Sequence, residues 1–265
     1  MDFYWIYDIP VFWAFTLIVG GFTIYGFIGA ALARRLFYKK LGYSHERNEQ
    51  VSFFMSSLAV FYGITLGLVA VSTWENHLQV QEKVSKEAAI LAALYRDISS
   101  FPEPAGTGLK HLLRKYTRYT IEEAWPQQQG IVPTPGIAMI TEFQDSLYGF
   151  EPANRKQEII FGETLRMYND YITIRRLRLM SIADGLPAIV WMFTIAGGLI
   201  NIAFLWLVMM EKRRLQMLLT CLVSFFIGSM IFLIAAMDNP YRGKISVTPG
   251  AFEMVYEHYM TGNGE

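Results

Sequence analysis

Charge is scarce in this sequence, and four stretches have none. Residues 11–33, 51–74, 186–210 and 215–237 contain no Asp, Glu, Lys or Arg. Each has the roughly 20 residues that carry a helix across a hydrocarbon core. The whole chain is 53% hydrophobic and only 17% charged, where a soluble domain carries about a quarter charged residues. A soluble globular class is thereby excluded. The first run is too long for a signal peptide and lacks a basic start, so it reads as a retained span.

Other absences exclude other classes. A single cysteine, Cys221, rules out an intramolecular disulfide. The four histidines, His45, His77, His111 and His258, are widely separated and have no ligand-like neighbours at helical spacing, so no metal site or cofactor is expected. Net charge is zero with no basic tail, which argues against nucleic acid as a partner. No nucleophile elbow, Walker A loop, HExxH or CxxC occurs, so no catalytic residues are assigned and an enzyme is not expected. No ionisable residue lies inside a span, which lowers the case for a proton-coupled carrier.

The remaining pattern is all-α. It predicts a first transmembrane hairpin (1–74), an extramembrane helical domain (75–185), a second hairpin (186–237) and an extramembrane tail (238–265). The short loops are basic: Arg34, Arg35, Lys39, Lys40 and Arg47 in one, Lys212, Arg213 and Arg214 in the other. The positive-inside rule puts both in the cytoplasm of an inner-membrane protein, with the central segment and termini outside. Lys83, Lys86, Arg175, Arg176, Arg178, Arg242 and Lys244 near the opposite face count against that orientation.

No Gly or Pro follows Gly67 until Pro102, so span two should continue as one helix to about Phe101. Val80, Val84, Ala88, Leu91, Tyr95 and Ile98 share one face at spacings of three and four; charges are expected on the other. Further helices are expected at 109–125, 137–147 and 152–183, with a loop at 127–136 and a break at Gly185 and Pro187. Pro240 should stop span four, and Gly243 should permit a turn that folds 247–259 back onto the stalk.

Two sets of residues stand out. In span two, Ser52, Ser56, Ala59, Gly63, Gly67 and Ala70 fall within about 40° of one line. Such a strip suits close helix packing, or a pore wall in an oligomer; both readings stand. Glu75, Asp184 and Asp238 all belong to one membrane face. In a ring of subunits they would form acidic rings at a mouth. Alternatively, Asp184 and Asp238 mark helix ends and pair with Arg175, Arg178 or Arg242.

Several stretches carry a resemblance: "GLVAVSTWE" leaving span two, "KEAAILAALYR" at Lys86–Arg96, "EEAWP" at Glu122–Pro126, "RRLRL" at Arg175–Leu179 ahead of "LP", and "MDNPYRGKISVTPGAFE" after span four. Together they resemble the bestrophin-like family of four-span membrane proteins, a domain of unknown function distantly similar to bestrophin channels. The resemblance implies the same layout, self-association as in the pentameric bestrophins, passage of inorganic ions, and span two at the pore neck. It also implies a cytoplasmic central segment and termini, against the charge count. No calcium site carries over, because no matching acidic cluster is present. The expectation is a homo-oligomeric channel or pore in the lipid bilayer; the alternative is a non-conducting scaffold or sensor that binds a partner through its extramembrane helices.

Overall fold

The computed structural model describes residues 5–41, 44–127, 134–208 and 210–261, with 37–41 by their backbone alone. Most of the expected loop at 127–136 lies outside these residues. The described chain is helical: α1 (Trp5–Asp8), α2 (Val11–Leu41), α3 (His45–Ile98), α4 (Ala105–Tyr119), α5 (Trp125–Gln127), α6 (Pro135–Tyr148), α7 (Arg155–Met180), α8 (Ala188–Leu207), α9 (Arg213–Met237) and α10 (Gly250–Val255). π-helical turns at Thr120–Ala124 and Tyr256–Met260 extend α4 and α10. The stretches long and apolar enough to span a bilayer are Val11–Leu36 and α3, α8 and α9.

α3 is one unbroken 54-residue helix. It starts at His45, ahead of the apolar run, because Glu46, Arg47, Glu49 and Gln50 favour helix and the Ser44 hydroxyl accepts the Arg47 N–H at 3.4 Å. It ends at Ile98, slightly short of the expected Phe101. Span three stops earlier than its apolar composition suggests. Val208 leaves helical geometry at ψ 110°. The carbonyls freed there find side-chain donors: Gln216 Nε2 reaches Val208 O at 2.9 Å, and Arg34 reaches Met210 O at 2.8 Å and Glu211 O at 3.1 Å.

The chain packs as two units. The first comprises Met1–Asn76, Gly185–Asn239 and Gly243–Ile245. Here α2 lies chiefly against α9. Phe15 meets Phe225 and Phe232 edge-on at 6.2 and 5.2 Å, and the Tyr25 ring lies tilted against Trp206 at 4.8 Å. Span two docks on span three through Tyr62. Its hydroxyl donates to Thr194 O at 3.0 Å, and its ring lies where a Gly197 side chain would stand, 2.6 Å from an added Cβ. Gly243 adopts φ 80°, a left-handed conformation that favours glycine, and it turns the chain against Tyr7.

The second unit comprises His77–Asp184, Pro240–Arg242 and Ser246–Glu265. Its core contains the expected line: Val80, Ala88, Leu91 and Ile98 are fully buried, with Val84 and Tyr95 nearly so. α4 adds Leu113 and Tyr116, α6 adds Phe143 and Leu147, and α7 adds Tyr168 and Tyr171. The tail contributes Phe252, Val255 and Met260. α7 begins at a reciprocal cap, in which Asn154 accepts from Gln157 N at 3.0 Å while the Gln157 side chain accepts from Ala153 N at 2.8 Å.

Gly197→Ala should therefore destabilise the first unit by about 1–3 kcal/mol through overpacking against Tyr62. Gly20→Ala, where an added Cβ meets nothing within 4 Å, should be neutral or mildly stabilising. Thermal melts of both variants in detergent check the contrast.

Candidate functional site

Span two is the least covered of the four spans. Only 6% of its most apolar window is buried by the rest of the chain, against 17%, 28% and 33% for spans one, three and four. It presents three faces. Tyr62, Leu66, Val69 and Thr73 turn toward their own chain; Leu66 and Thr73 are buried. Roughly 90° round the helix lies the small-residue strip. Ser56, Ala59 and Gly63 are exposed, while Ser52, Gly67 and Ala70 are half-buried. A Cβ added at Gly63 or Gly67 would meet nothing within 4 Å, so these glycines serve no close approach inside the chain. The Ser56 hydroxyl donates back to Ser52 O at 2.7 Å, which leaves the strip without a free donor there. The third face exposes Phe53, Val60, Phe61, Ile64, Leu68 and Val71.

The three acidic candidates have different surroundings. Glu75 and Asp184 are exposed. Asp238 is held: Oδ1 accepts the Leu186 N–H at 2.6 Å, and Oδ2 accepts the Trp191 indole N–H at 3.1 Å. It joins the end of span four to the lead-in of span three. Burial pushes its carboxyl above the usual aspartate value, and these two donors pull it partly back. Arg175 and Arg178, two of its three expected partners, bond elsewhere: Arg175 Nε donates to Tyr116 Oη at 2.8 Å, and Arg178 pairs with Glu87.

That last pair escaped the sequence reading, which put the charges of this helix in solvent. Glu87 and Arg178 are both buried. Arg178 Nε lies 2.5 Å from Glu87 Oε2, and Nη2 lies 3.3 Å from Oε1. The guanidinium carbon is 5.3 Å from the centre of the Trp125 ring and 5.7 Å from that of Phe252. Tyr241 and Ser181 both donate to the Arg178 carbonyl, at 3.4 and 2.7 Å. Burial alone would lower the Arg178 pKa; the Glu87 charge and hydrogen bond outweigh it, and the net shift is upward. Burial likewise pushes the Tyr171 phenol well up and the Tyr168 phenol up to about 12. The signal was there: Glu87 lies three residues after Val84 and four before Leu91, on the buried stripe. The pair is sealed, with no open position for a substrate. Among the described residues no group of three His, Cys, Asp or Glu side chains could hold a metal ion.

Four-span, with helices as its only regular secondary structure among the described residues, with a least-covered second span and a helical unit closed over a buried ion pair, the chain is a polytopic membrane protein of the bestrophin fold. Residues 11–252 match the family described as the Bestrophin-like domain, and the chain belongs to that family. No curated protein matches it. Among solved structures it is similar to a bacterial bestrophin homologue from Klebsiella pneumoniae. One crystal structure of that homologue has a TM-score of 0.72 at 10% identity, covering 92% of this chain and 98% of the other. Two of its point variants give TM-scores of 0.74 and 0.73, again at 10% identity, covering 92% and 93% of this chain and 98% and 97% of theirs. Four of the five stretches that carry the family resemblance meet in one place: Glu87 from "KEAAILAALYR", Trp125 from "EEAWP", Arg178 from "RRLRL", and Tyr241 and Phe252 from the tail.

Glu87→Ala or Arg178→Ala should destabilise the second unit by about 3–5 kcal/mol, since each strands a buried charge, whereas Glu87→Leu with Arg178→Met should recover most of the loss. Thermal unfolding followed by fluorescence, in a variant that keeps Trp125 and replaces the other tryptophans by Phe, reports this. For Asp238 the folded pKa lies above the unfolded one. Its stabilising contribution is therefore complete below the ordinary aspartate value of about 4 and is lost as pH rises through the raised value. Asp238→Asn should flatten that part of the pH–melting curve.

Proposed function

We propose that the protein is a homo-oligomeric channel through which ions pass passively, with span two near the oligomer axis. The carrying observation is the coverage of span two, which meets its own chain along one face and leaves two faces bare. In a ring, one bare face would pack on the neighbouring subunit and the other would line the conduit. The small-residue strip Ser52, Ser56, Ala59, Gly63, Gly67 and Ala70 suits the wall of a narrow pore. Membership of the bestrophin-like family supports the reading, as does the distant similarity of the family to pentameric channels. Glu75 and Asp184, being exposed, are the stronger mouth candidates; Asp238 serves as a latch between spans three and four.

The second reading is a non-conducting scaffold or sensor. It draws support from a groove of about 560 Å³ in the extramembrane unit, lined among others by Ala89, Ala92, Ala93 and Met254, which could seat a partner helix.

Mass determination in detergent should give a multiple of the 30.4 kDa chain, and the pure protein should conduct in planar bilayers. Gly63→Leu should cut conductance on the order of tenfold by narrowing the path, while Gly20→Leu on span one should not. An oligomer that passes no ion moves the assignment to the scaffold. Orientation has its own test: a cysteine placed at the exposed Glu142 is labelled in intact cells if the basic loops are cytoplasmic, and protected if the bestrophin arrangement holds.

A further inference from the structure

The Arg34 side chain does more than close a helix end. Its guanidinium binds Met210 O, Glu211 O and Gln216 Oε1, at 2.8, 3.1 and 2.8 Å. Gln216, 2% exposed, in turn donates to Val208 O. The segment between spans three and four is thus pinned to the end of span one through three backbone carbonyls. This fixes where the neighbouring cations stand. Arg35 follows Arg34 on α2, and Lys212, Arg213 and Arg214 lead into α9; all four are exposed. Among the described residues none of the four makes an ion pair, and Glu211 is the acidic residue next to them in sequence. Like charges held together on a rigid frame repel unless an anion answers them.

The surface next to the cations is apolar. Within one or two turns, α2 exposes Leu32 and Leu36, and α9 exposes Leu215 and Leu218. A partner for this surface needs a negative, multiply accepting group beside a hydrocarbon chain. A free phosphate meets only the first requirement. Arginine presents paired donors that match phosphate oxygens, and basic residues flanking spans attract anionic bilayer surfaces at about 1 kcal/mol each.

We propose that the Arg35, Lys212, Arg213 and Arg214 patch is a binding surface for the phosphate headgroup of an anionic bilayer lipid, whose acyl chain lies along the exposed leucines of α2 and α9. The patch is independent of whether the protein conducts.

The test compares the protein in phosphatidylcholine vesicles with the protein in mixed phosphatidylcholine–phosphatidylglycerol vesicles, read by tryptophan-monitored melting and by native mass spectrometry of retained lipid. Wild type should melt several degrees higher with phosphatidylglycerol, lose that gain as salt is raised, and retain phosphatidylglycerol in preference. The triple variant Arg35→Gln, Arg213→Gln, Arg214→Gln should fold, since all three side chains are exposed, and should lose both the gain and the preference. Equal melting in the two vesicles, or a gain undiminished in the variant, overturns the proposal. Inorganic phosphate producing the same gain in detergent overturns it in favour of a free-anion site.

Discussion

Two charges taken out of water must answer each other completely, and in the extramembrane unit Glu87 and Arg178 do so. The pair ties α3 to α7 at the middle of the core, with Trp125 and Phe252 over the guanidinium and Tyr241 at the backbone beneath it. Leucines there would pack about as well, and a buried ion pair is not in itself a source of stability. What such a pair can supply is register. An apolar α3 face could slide by a turn against α7 at modest cost; a carboxylate that slides leaves its partner bare. The aromatic cover works in the same direction. Burial pushes the neighbouring Tyr171 and Tyr241 phenols up from their ordinary value.

In the membrane unit the constraint is closeness rather than charge. Tyr62 fills the place where Gly197 lacks a side chain, and Val19 Cα lies 3.0 Å from where a Gly228 Cβ would be. Between helices in lipid there is little hydrophobic gain, so such approaches and backbone-directed bonds carry the packing. Spans one, three and four each carry glycines in such approaches. Span two uses them on one side only, which is why it stands apart as the element with contacts left to make.

Much of this was legible in the sequence because the governing rules are periodic. Apolar length marked the spans, and the i, i+3, i+4 line from Val80 to Ile98 marked the stalk core. The break at Gly185–Pro187 and the turn at Gly243 followed from backbone sterics. The missed features depend on partners distant in sequence. Glu87 was assigned to solvent by its chemistry although its position put it on the buried stripe; only Arg178, far along the chain, makes that burial tolerable. Asp238 was read either as a mouth charge or as an arginine partner; the donors that hold it are a backbone amide and an indole, which composition does not reveal. The early end of span three was hidden because Arg34 and Gln216, not hydropathy, decide where its carbonyls are satisfied.

The tail's place in the extramembrane core sets an order of events. Glu87, Trp125 and Arg178 are synthesised before spans three and four, but Tyr241 and Phe252, which complete their enclosure, come after. During translation the central segment must therefore wait, with its ion pair half-dressed, while two more helices enter the bilayer. The closing of that unit therefore follows the entry of spans three and four, so a chain in which those spans are misplaced would carry an unfinished, exposed core that quality-control proteases can read.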